Sequence, residues 1–254
     1  MSSPPRFHVP EAAPGARVTL PEHSAHHARE VLRLRSGHPV RIFDGAGQEF
    51  EAILDVVRRG EVSARLSGLV PARPESPLEL ILALSPLKGD RMELVIQKAT
   101  ELGVTAFRPV VTARTDAAAR PALKGSRQDR WDKVASGAAE QCGRAVVPEV
   151  APACTLAQLL VETPGGPLRL LLDETPGQPS LSTLTRPPGA VLALVGPAGG
   201  WEPHELERLQ SAGFRRVSLG PRVLRAETAA IALVAALQLL WGDLGPLSPR
   251  LEGR

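Results

Sequence analysis

The chain of 254 residues has a net charge of +3 and a sequence pI of about 9.3, a mild basic excess that permits nucleic-acid binding without requiring it. Hydrophobic residues make up 43% and charged residues 22%, which excludes a disordered chain and favours one large or two modest globular domains. Because tyrosine is absent and aromatic residues amount to 3%, the core must be aliphatic, and stacking on aromatic rings cannot be the main way of holding a nucleic acid.

The first part of the chain has the pattern of short strands around one helix. Residues 23–34 have a helical pattern, which Gly37 ends. The strand-like stretches are residues 17–20, 38–45, 48–57 and 61–70. Several short strands at this spacing predict a small β-barrel.

Prolines interrupt this pattern. Pro71, Pro74 and Pro77 make the stretch PARPESP a semi-rigid linker. We place the domain boundary there, so that residues 1–73 form the first domain and residues 74–254 the second. The basic residues of the first domain are all arginine, which suits bidentate phosphate contacts, although a solvated arginine-rich surface explains the composition at least as well.

Beyond the linker, strands alternate with helices. The predicted strands are residues 78–87, 107–111, 167–174, 190–197 and 215–220. The predicted helices are residues 90–103, 126–144 with Ser126 as N-cap, 203–213 and 227–241. This alternation predicts an α/β sheet with helices on both faces.

A glycine-rich turn, residues 194–200 (LVGPAGG), connects a buried strand to a helix. Glycines let backbone amides approach a ligand closely, and in open α/β sheets ligands bind beyond the carboxyl ends of the strands. The spacing is neither GxGxxG nor that of a P-loop. Taken alone, the turn is as well explained by a tight connection without a ligand.

A second strand-to-helix connection, residues 218–230 (SLGPRVLRAETAA), crowds charges at the start of an almost wholly apolar helix. Glu227 and Thr228 suit a helix N-terminus, where an acid and a capping hydroxyl are favourable. Arg222 and Arg225 do not, because cations are disfavoured at that end. An anionic ligand or RNA would explain them.

Together, GPAGGWEPHE at 196–205 and SLGPRVLRAETAA at 218–230 resemble the two C-terminal motifs of the SPOUT methyltransferases, and are most similar to those of the ribosomal RNA uridine-N3 methyltransferases. Upstream, the chain matches that family at residues 88–93, 97–103, 130–131, 140–144 and 148. In the first domain it matches at residues 6–7, 27, 31–33 and 37. The resemblance covers almost the whole chain. Ala198 replaces the family's usual glutamate and Ala226 its more usual threonine.

This resemblance implies a parallel sheet with a C-terminal trefoil knot and helices on both faces, preceded by a small PUA-like β-barrel. It also implies S-adenosylmethionine as cofactor, bound at the knot, and a homodimer for which the apolar helix 227–241 is a candidate interface. The implied cofactor-binding residues are Leu172, Leu194, Val195, Gly196, Pro197, Gly199, Gly200, Leu219, Gly220, Arg222, Leu224, Arg225 and Thr228.

The implied reaction is methylation of N3 of a specific uridine in small-subunit (16S) ribosomal RNA, free or in an assembled subunit. We hypothesise that Arg222 or Arg225 stabilises the anionic uracil, while Glu227 orients the arginine or relays the proton. The RNA-binding residues expected on the two domains are Arg6, Arg33, Arg35, Lys88, Arg91, Lys98, Arg114 and Arg144.

Two other functions remain open: a SPOUT enzyme acting on transfer RNA, at a ribose 2′-oxygen for example, and a non-catalytic ribosome-assembly factor, which only Ala198 favours. Neither the cysteines nor the His23/His27 pair has a metal-ligand motif, so no metal is expected. The N-terminus lacks a signal-peptide core, and the longest apolar run falls short of the roughly 20 residues of a membrane span. A cytoplasmic location follows as the expectation.

Overall fold

A computed structural model describes residues 4–119, 127–162 and 166–245. The chain divides into two compact units, one formed by the described residues up to Glu75 together with Ser136–Val147, and one formed by the rest. No helix among the described residues is long and apolar enough to cross a membrane. Ser126, the expected N-cap, lies outside the described residues.

The first unit contains a five-stranded sheet in the order β1-β3-β4-β5-β2. Its strands are β1 (Arg6–His8), β2 (Arg17–Thr19), β3 (Pro39–Phe43), β4 (Glu49–Arg58) and β5 (Glu61–Val70). Neighbours pair antiparallel except β1 and β3, which are parallel. Alternation along β4 buries Phe50, Ala52 and Leu54, because successive side chains of a strand point to opposite faces. The helical stretch consists of α1 (Glu22–His26) followed by a π-helical turn, His27–Val31.

Arg6 lies inside this first unit. Its guanidinium pairs with Glu49 at 2.9 Å, donates to the carbonyl oxygens of Ala139, Glu140 and Arg144, and stacks on the ring of Phe43. Its side chain is only 12% exposed. The structure therefore assigns Arg6 to internal packing, in place of the RNA contact expected from the sequence.

Arg144, also expected to bind RNA, is likewise engaged inside the first unit. Its guanidinium pairs with the carboxylate of Glu75 at 2.6 Å, and the residue is 8% exposed. A guanidinium that is already paired with a carboxylate and shielded from solvent has little left for a phosphate. Arg144 therefore holds residues 136–147 to the remainder of the first unit.

The second unit contains a parallel sheet in the order β12-β10-β11-β6-β7-β8, and a further short strand, β9, pairs with β7. Its strands are β6 (Leu80–Leu84), β7 (Ala106–Val111), β8 (Glu149–Val150), β9 (Cys154–Thr155), β10 (Leu168–Leu172), β11 (Val191–Val195) and β12 (Arg215–Val217). Its helices are α2 (Arg91–Glu101), α3 (Gln128–Cys142, which continues into the first unit), α4 (Leu156–Glu162), α5 (Pro203–Ser211) and α6 (Ala226–Trp241). This arrangement confirms the predicted α/β sheet with helices on both faces; the trefoil knot stays a prediction.

Helices cover the sheet because its strands are apolar on both sides. Leu192 and Leu194 of β11 belong to a buried cluster that includes Leu159 of α4 and Leu209 of α5. Helix α6 packs against β6, β11 and α2. Strands buried on both faces read as continuous hydrophobic runs, which is the pattern of Val191–Val195.

Gln238, the polar residue that interrupts the apolar run of α6, is fully buried. Its side-chain oxygen accepts from the hydroxyl of Ser76 at 2.6 Å, and its nitrogen donates to the carbonyl of Gly103 at 3.1 Å. A buried amide is tolerated when its groups are hydrogen-bonded. The glutamine thereby fixes α6 to the start of the second unit and to the turn after α2.

Glu140 generates a stability prediction for the first unit. Burial raises the pKa of its carboxyl, a shift only partly offset by hydrogen bonds from the His8 N–H and the Ser24 hydroxyl. A raised folded-state pKa means that the native state loses stability as pH rises above the unfolded-state pKa. Glu140→Gln keeps an acceptor for both donors and removes the charge, so we expect its Tm to exceed that of the parent at pH 8, with a gap that narrows towards pH 4.5.

Thermal melts of both proteins across this pH range test the prediction. A variant that is less stable than the parent at pH 8 would contradict it, because the carboxylate would then contribute through its charge.

Candidate active site

The parallel register brings three strand ends to one edge of the second unit's sheet. Leu172, the last residue of β10, lies opposite Val195 at the end of β11 and opposite Val217 at the end of β12. Val195 in turn lies opposite Leu84 of β6. The segments that follow these strands therefore leave the sheet side by side. Those segments include most of the residues expected to bind a cofactor.

The glycine-rich turn after β11 is closely packed. A side chain at Gly196 would lie 2.7 Å from the indole of Trp201, so only glycine fits beneath that ring. Gly200 has a φ of 74° and donates its N–H to the carbonyl of Pro197 at 2.9 Å, closing the turn. The turn is thus held in one backbone conformation by its own residues.

Arg114, in the segment after β7, clamps this turn. Its Nη1 donates to the carbonyl of Gly199 at 3.0 Å, and its Nε donates to Glu202, the N-cap residue of α5, at 2.8 Å. The hydrogen bond and the charge of Arg114 lower the pKa of the Glu202 carboxyl. The guanidinium predicted to bind RNA is therefore engaged in positioning the turn.

Glu205 ties the same two segments together, and a pair of hydroxyls ties the segment after β7 to the end of β6. Glu205, 3% exposed, accepts from the N–H of Ala113 at 2.8 Å and from the N–H of Glu202 at 3.1 Å. The buried hydroxyls of Ser85, which follows β6, and Thr115 are 2.7 Å apart. Glu205 stands at the end of the motif at 196–205, but sequence patterns do not single out Ser85 or Thr115, because a single sequence does not show which strands are neighbours in the sheet.

The connection between β12 and α6 presents open backbone groups. Among the described residues, the N–H groups of Leu219, Gly220 and Leu224 donate to no other protein group. Gly220 has a φ of 115°, which favours glycine, while Leu219 and Leu224 are half-buried. Unpaired amides beside apolar side chains suit a ligand with both polar and apolar parts.

Arg222 and Arg225 lie on this connection with their side chains exposed. Within the described part of the chain, neither forms an ion pair, and Arg225 is the N-cap residue of α6. Two unpaired guanidinium groups at a helix N-terminus are electrostatically unfavourable without an anion. They are the groups of this edge that remain available to a negatively charged partner.

Glu227, in the first turn of α6, has a different partner from the one hypothesised. Its carboxylate lies 3.7 Å from Nε of Arg91 on α2, and its side chain is 13% exposed. Glu227 therefore pairs with Arg91 and not with Arg222 or Arg225. Thr228, expected at the cofactor, is exposed in the same turn.

The other predicted RNA-binding residues are distributed over both units. Lys88 is exposed just before α2, and Lys98 pairs with Glu101 along that helix at 2.9 Å. Arg33 and Arg35 are exposed on the first unit.

Asp173, directly after β10, is a site residue that the motifs missed. It is 7% exposed, pairs with Arg216 of β12, and accepts from the N–H and the hydroxyl of Thr175. Burial opposes its ionisation, but these hydrogen bonds and the charge of Arg216 outweigh that effect and lower its pKa. The sequence signal that could have identified Asp173 is a carboxylate immediately after a buried strand.

Family models identify both parts of the chain. Residues 74–238 match a model described as an RNA methyltransferase domain. Residues 20–67 match one described as an RNA methyltransferase PUA domain.

Among curated proteins, the chain is similar to Ribosomal RNA small subunit methyltransferase E of Synechocystis, with 36% identity over 91% of this chain and 76% of the relative. It is 32% identical to the Bacillus subtilis protein of the same name, over 92% and 94% of the two chains. Among solved structures, it is similar to the Neisseria gonorrhoeae enzyme of that name bound to S-adenosyl methionine, with 37% identity, a TM-score of 0.87, and coverage of 95% and 100%. A putative methyltransferase of Legionella pneumophila, also in complex with this cofactor, gives 34% identity, a TM-score of 0.89, and coverage of 96% and 100%.

Asp173→Asn tests the ion pair at this edge. Removing one partner of a largely buried, hydrogen-bonded charge pair should lower the free energy of unfolding by about 1–3 kcal/mol at pH 7. Because the folded-state pKa of Asp173 is lowered, its contribution is present above the unfolded-state pKa and is lost as pH falls through the folded-state pKa. The difference between variant and parent should therefore shrink in acid.

Urea denaturation at pH 7 and in acid measures both effects. The exposed Asp243 provides the matched control, and Asp243→Asn should change stability by less than about 0.5 kcal/mol. An Asp173→Asn deficit that is the same at both pH values would rule out the ionic contribution.

Proposed function

The chain belongs to the RNA methyltransferase family of the proteins named Ribosomal RNA small subunit methyltransferase E, and on that premise we propose that it transfers a methyl group from S-adenosylmethionine to N3 of a uridine in small-subunit ribosomal RNA. One observation carries the proposal for the site. The closed glycine turn, the unpaired amides and the two unpaired arginines all follow strands that end at one edge of the sheet.

The edge fits the cofactor through its backbone. The unpaired N–H groups of Leu219, Gly220 and Leu224 can bind its polar atoms, and the half-buried Leu172 can contact its apolar surface. The rigid turn at Gly196–Gly200 supplies the opposite wall. When bound, the cofactor supplies a methyl group on a reactive sulfonium, so positioning the acceptor in line is a large share of the catalysis.

Side chains of the protein must stabilise the charge that forms on the methyl acceptor, uridine N3. Uridine N3 carries a proton at neutral pH. The N–CH3 bond forms as the bond between that methyl group and the sulfonium sulfur breaks, and before this attack the N3 proton must pass to a base such as solvent hydroxide, which leaves the uracil anionic. The resulting negative charge on the uracil can be stabilised by Arg222 or Arg225, which have no competing ion pair within the described residues. Glu227 holds Arg91 and thereby positions the start of α6, from which Arg225 projects.

The proposal extends to the roles of the two domains, the location of the enzyme and its oligomeric state. Residues 1–73 bind RNA, residues 74–254 carry the methyltransferase, and the enzyme acts in the cytoplasm as a homodimer. Leu239 and Leu240 on α6 are 59% and 44% exposed, which supports a contact of this helix with a second copy.

Arg225→Ala tests the catalytic assignment. Loss of one group that stabilises developing negative charge should lower kcat/KM by about 10²–10³-fold without unfolding the protein. Arg208→Ala, which removes an exposed arginine of α5, should retain the parental rate. An Arg225→Ala variant with full activity would overturn the role of this residue.

The assay is transfer of labelled methyl to purified small ribosomal subunits from a strain lacking this gene, followed by nucleoside mass spectrometry. Formation of 3-methyluridine supports the proposal. Transfer to bulk transfer RNA alone would instead favour a transfer-RNA enzyme. Absence of both transfer and cofactor binding would favour a non-catalytic assembly factor.

Arg114→Ala tests the clamp on the glycine turn. Freeing the Gly199 carbonyl and Glu202 loosens the wall of the cofactor site, and since Arg114 is partly exposed we expect about fivefold weaker cofactor binding, roughly 1 kcal/mol. Calorimetric titration with S-adenosylmethionine measures it. Arg108→Ala, which breaks an exposed pair between Arg108 of β7 and Glu149 of β8, is the control and should leave the Kd unchanged. Equal affinities for the two variants would refute the clamp.

A further inference from the structure

The turn that ends the helical stretch of the first unit has an unusual backbone. Within the π-helical turn, the N–H of Leu32 donates to the carbonyl of His27 at 3.0 Å, and the N–H of Leu34 reaches back to Ala28 at 2.9 Å. Arg33, between them, has a φ of 53° and is the only non-glycine residue with positive φ in the described part of the chain. Helix ends of this shape usually place glycine at that position.

Packing does not explain the arginine. The half-buried Leu34 packs on the core of the first unit, so the fold requires the left-handed turn itself. Glycine would make that turn with less strain. The Arg33 side chain is exposed and forms no hydrogen bond or ion pair within the described residues. Strained residues of this kind persist mainly where a ligand uses them.

The same turn displays two apolar side chains. Val31 is 61% exposed and Leu32 is 39% exposed, and they adjoin Arg33 in the chain. π-helical turns occur frequently at functional sites. Here the turn directs an apolar pair and a cation to the protein surface together.

The surroundings of the turn are basic. The Arg29 guanidinium donates to the carbonyl of Arg58 at 3.2 Å, which places the turn beside the β4–β5 hairpin and its Arg59. The nearby acids are engaged, since Glu30 pairs with Arg29 and Glu61 with Arg58. Beside this turn, Arg33, Arg35 and Arg59 form no ion pair with any described residue.

We propose that residues 29–35 with Arg59 form a docking site for an unpaired segment of RNA, in which Val31 and Leu32 contact the face of an exposed base and the unpaired arginines bind the flanking phosphates. An apolar pair can pack on the face of a base, and an unstacked base exposes that face. The inference rests on the proposed function in one respect, that the substrate is RNA.

Arg33→Gly separates the function of this residue from its structural role. Glycine accepts the left-handed backbone, so the Tm should equal or exceed that of the parent. Loss of one phosphate contact should lower affinity for a fluorescent RNA stem-loop about fivefold and reduce the slope of log K against log salt by about 1. An unchanged affinity and slope would overturn the proposal.

Val31→Ser tests the apolar contact, with Ile53→Ser as its match, because Ile53 is 54% exposed on β4. Val31→Ser should weaken binding of the stem-loop by about threefold to fivefold, because it removes a few methyl groups that would be buried against the base. The affinity for an uninterrupted duplex of the same stem should not change. Ile53→Ser should bind both RNAs as the parent does. Equal loss in the two variants would contradict a specific base contact.

Two further readouts separate this inference from the proposed function. Arg33→Gly and Val31→Ser should bind S-adenosylmethionine as the parent does, and both should show a raised KM for small ribosomal subunits. If the parent fails to methylate but the binding pattern holds, the methylation proposal falls and the docking site stands. A variant that loses affinity for intact subunits and not for protein-free RNA would overturn the docking site, because a protein would then be the partner.

Discussion

The parallel register of β10, β11 and β12 determines where the glycine turn and the loop with the two unpaired arginines begin. It aligns Leu172, Val195 and Val217, so the loops that follow begin from neighbouring points. A shift of a single residue would turn the side chains of a strand to the opposite face of the sheet. The apolar residues that pack on α4 and α5 resist such a shift, and hydrophobic burial thereby fixes the geometry of a polar site.

Arginines of this chain divide into two groups that the sequence does not distinguish. Arg6, Arg114 and Arg144 are engaged by carboxylates and carbonyl groups contributed by residues far away in the chain. Arg222 and Arg225 have no such partner among the described residues. A guanidinium has five donors, and only geometry shows how many of them remain for a substrate.

Much of the fold could be predicted because hydrophobic periodicity is local. The apolar run of β11 and the pattern of α2 each lie within a dozen residues. Strands β8 and β9 could not be predicted, because two residues carry no periodicity. Strand β1 escaped for a similar reason, since three residues gain their strand character from pairing with β3, far along the chain.

Two arginine positions of this chain conflict with what local stability favours. Arginine at the N-terminus of α6 opposes the helix dipole, and arginine in the left-handed turn at position 33 replaces the residue that best fits that backbone. The conflict at the N-terminus of α6 can be recognised in the sequence once the start of that helix is assigned. The second becomes visible only when φ is known, because a π-helical turn shifts the helix end by one residue from the place where an α-helical pattern would put it. Arg33 was expected to bind RNA as one of the arginines of the first domain, whereas its backbone conformation gives a reason that does not depend on charge.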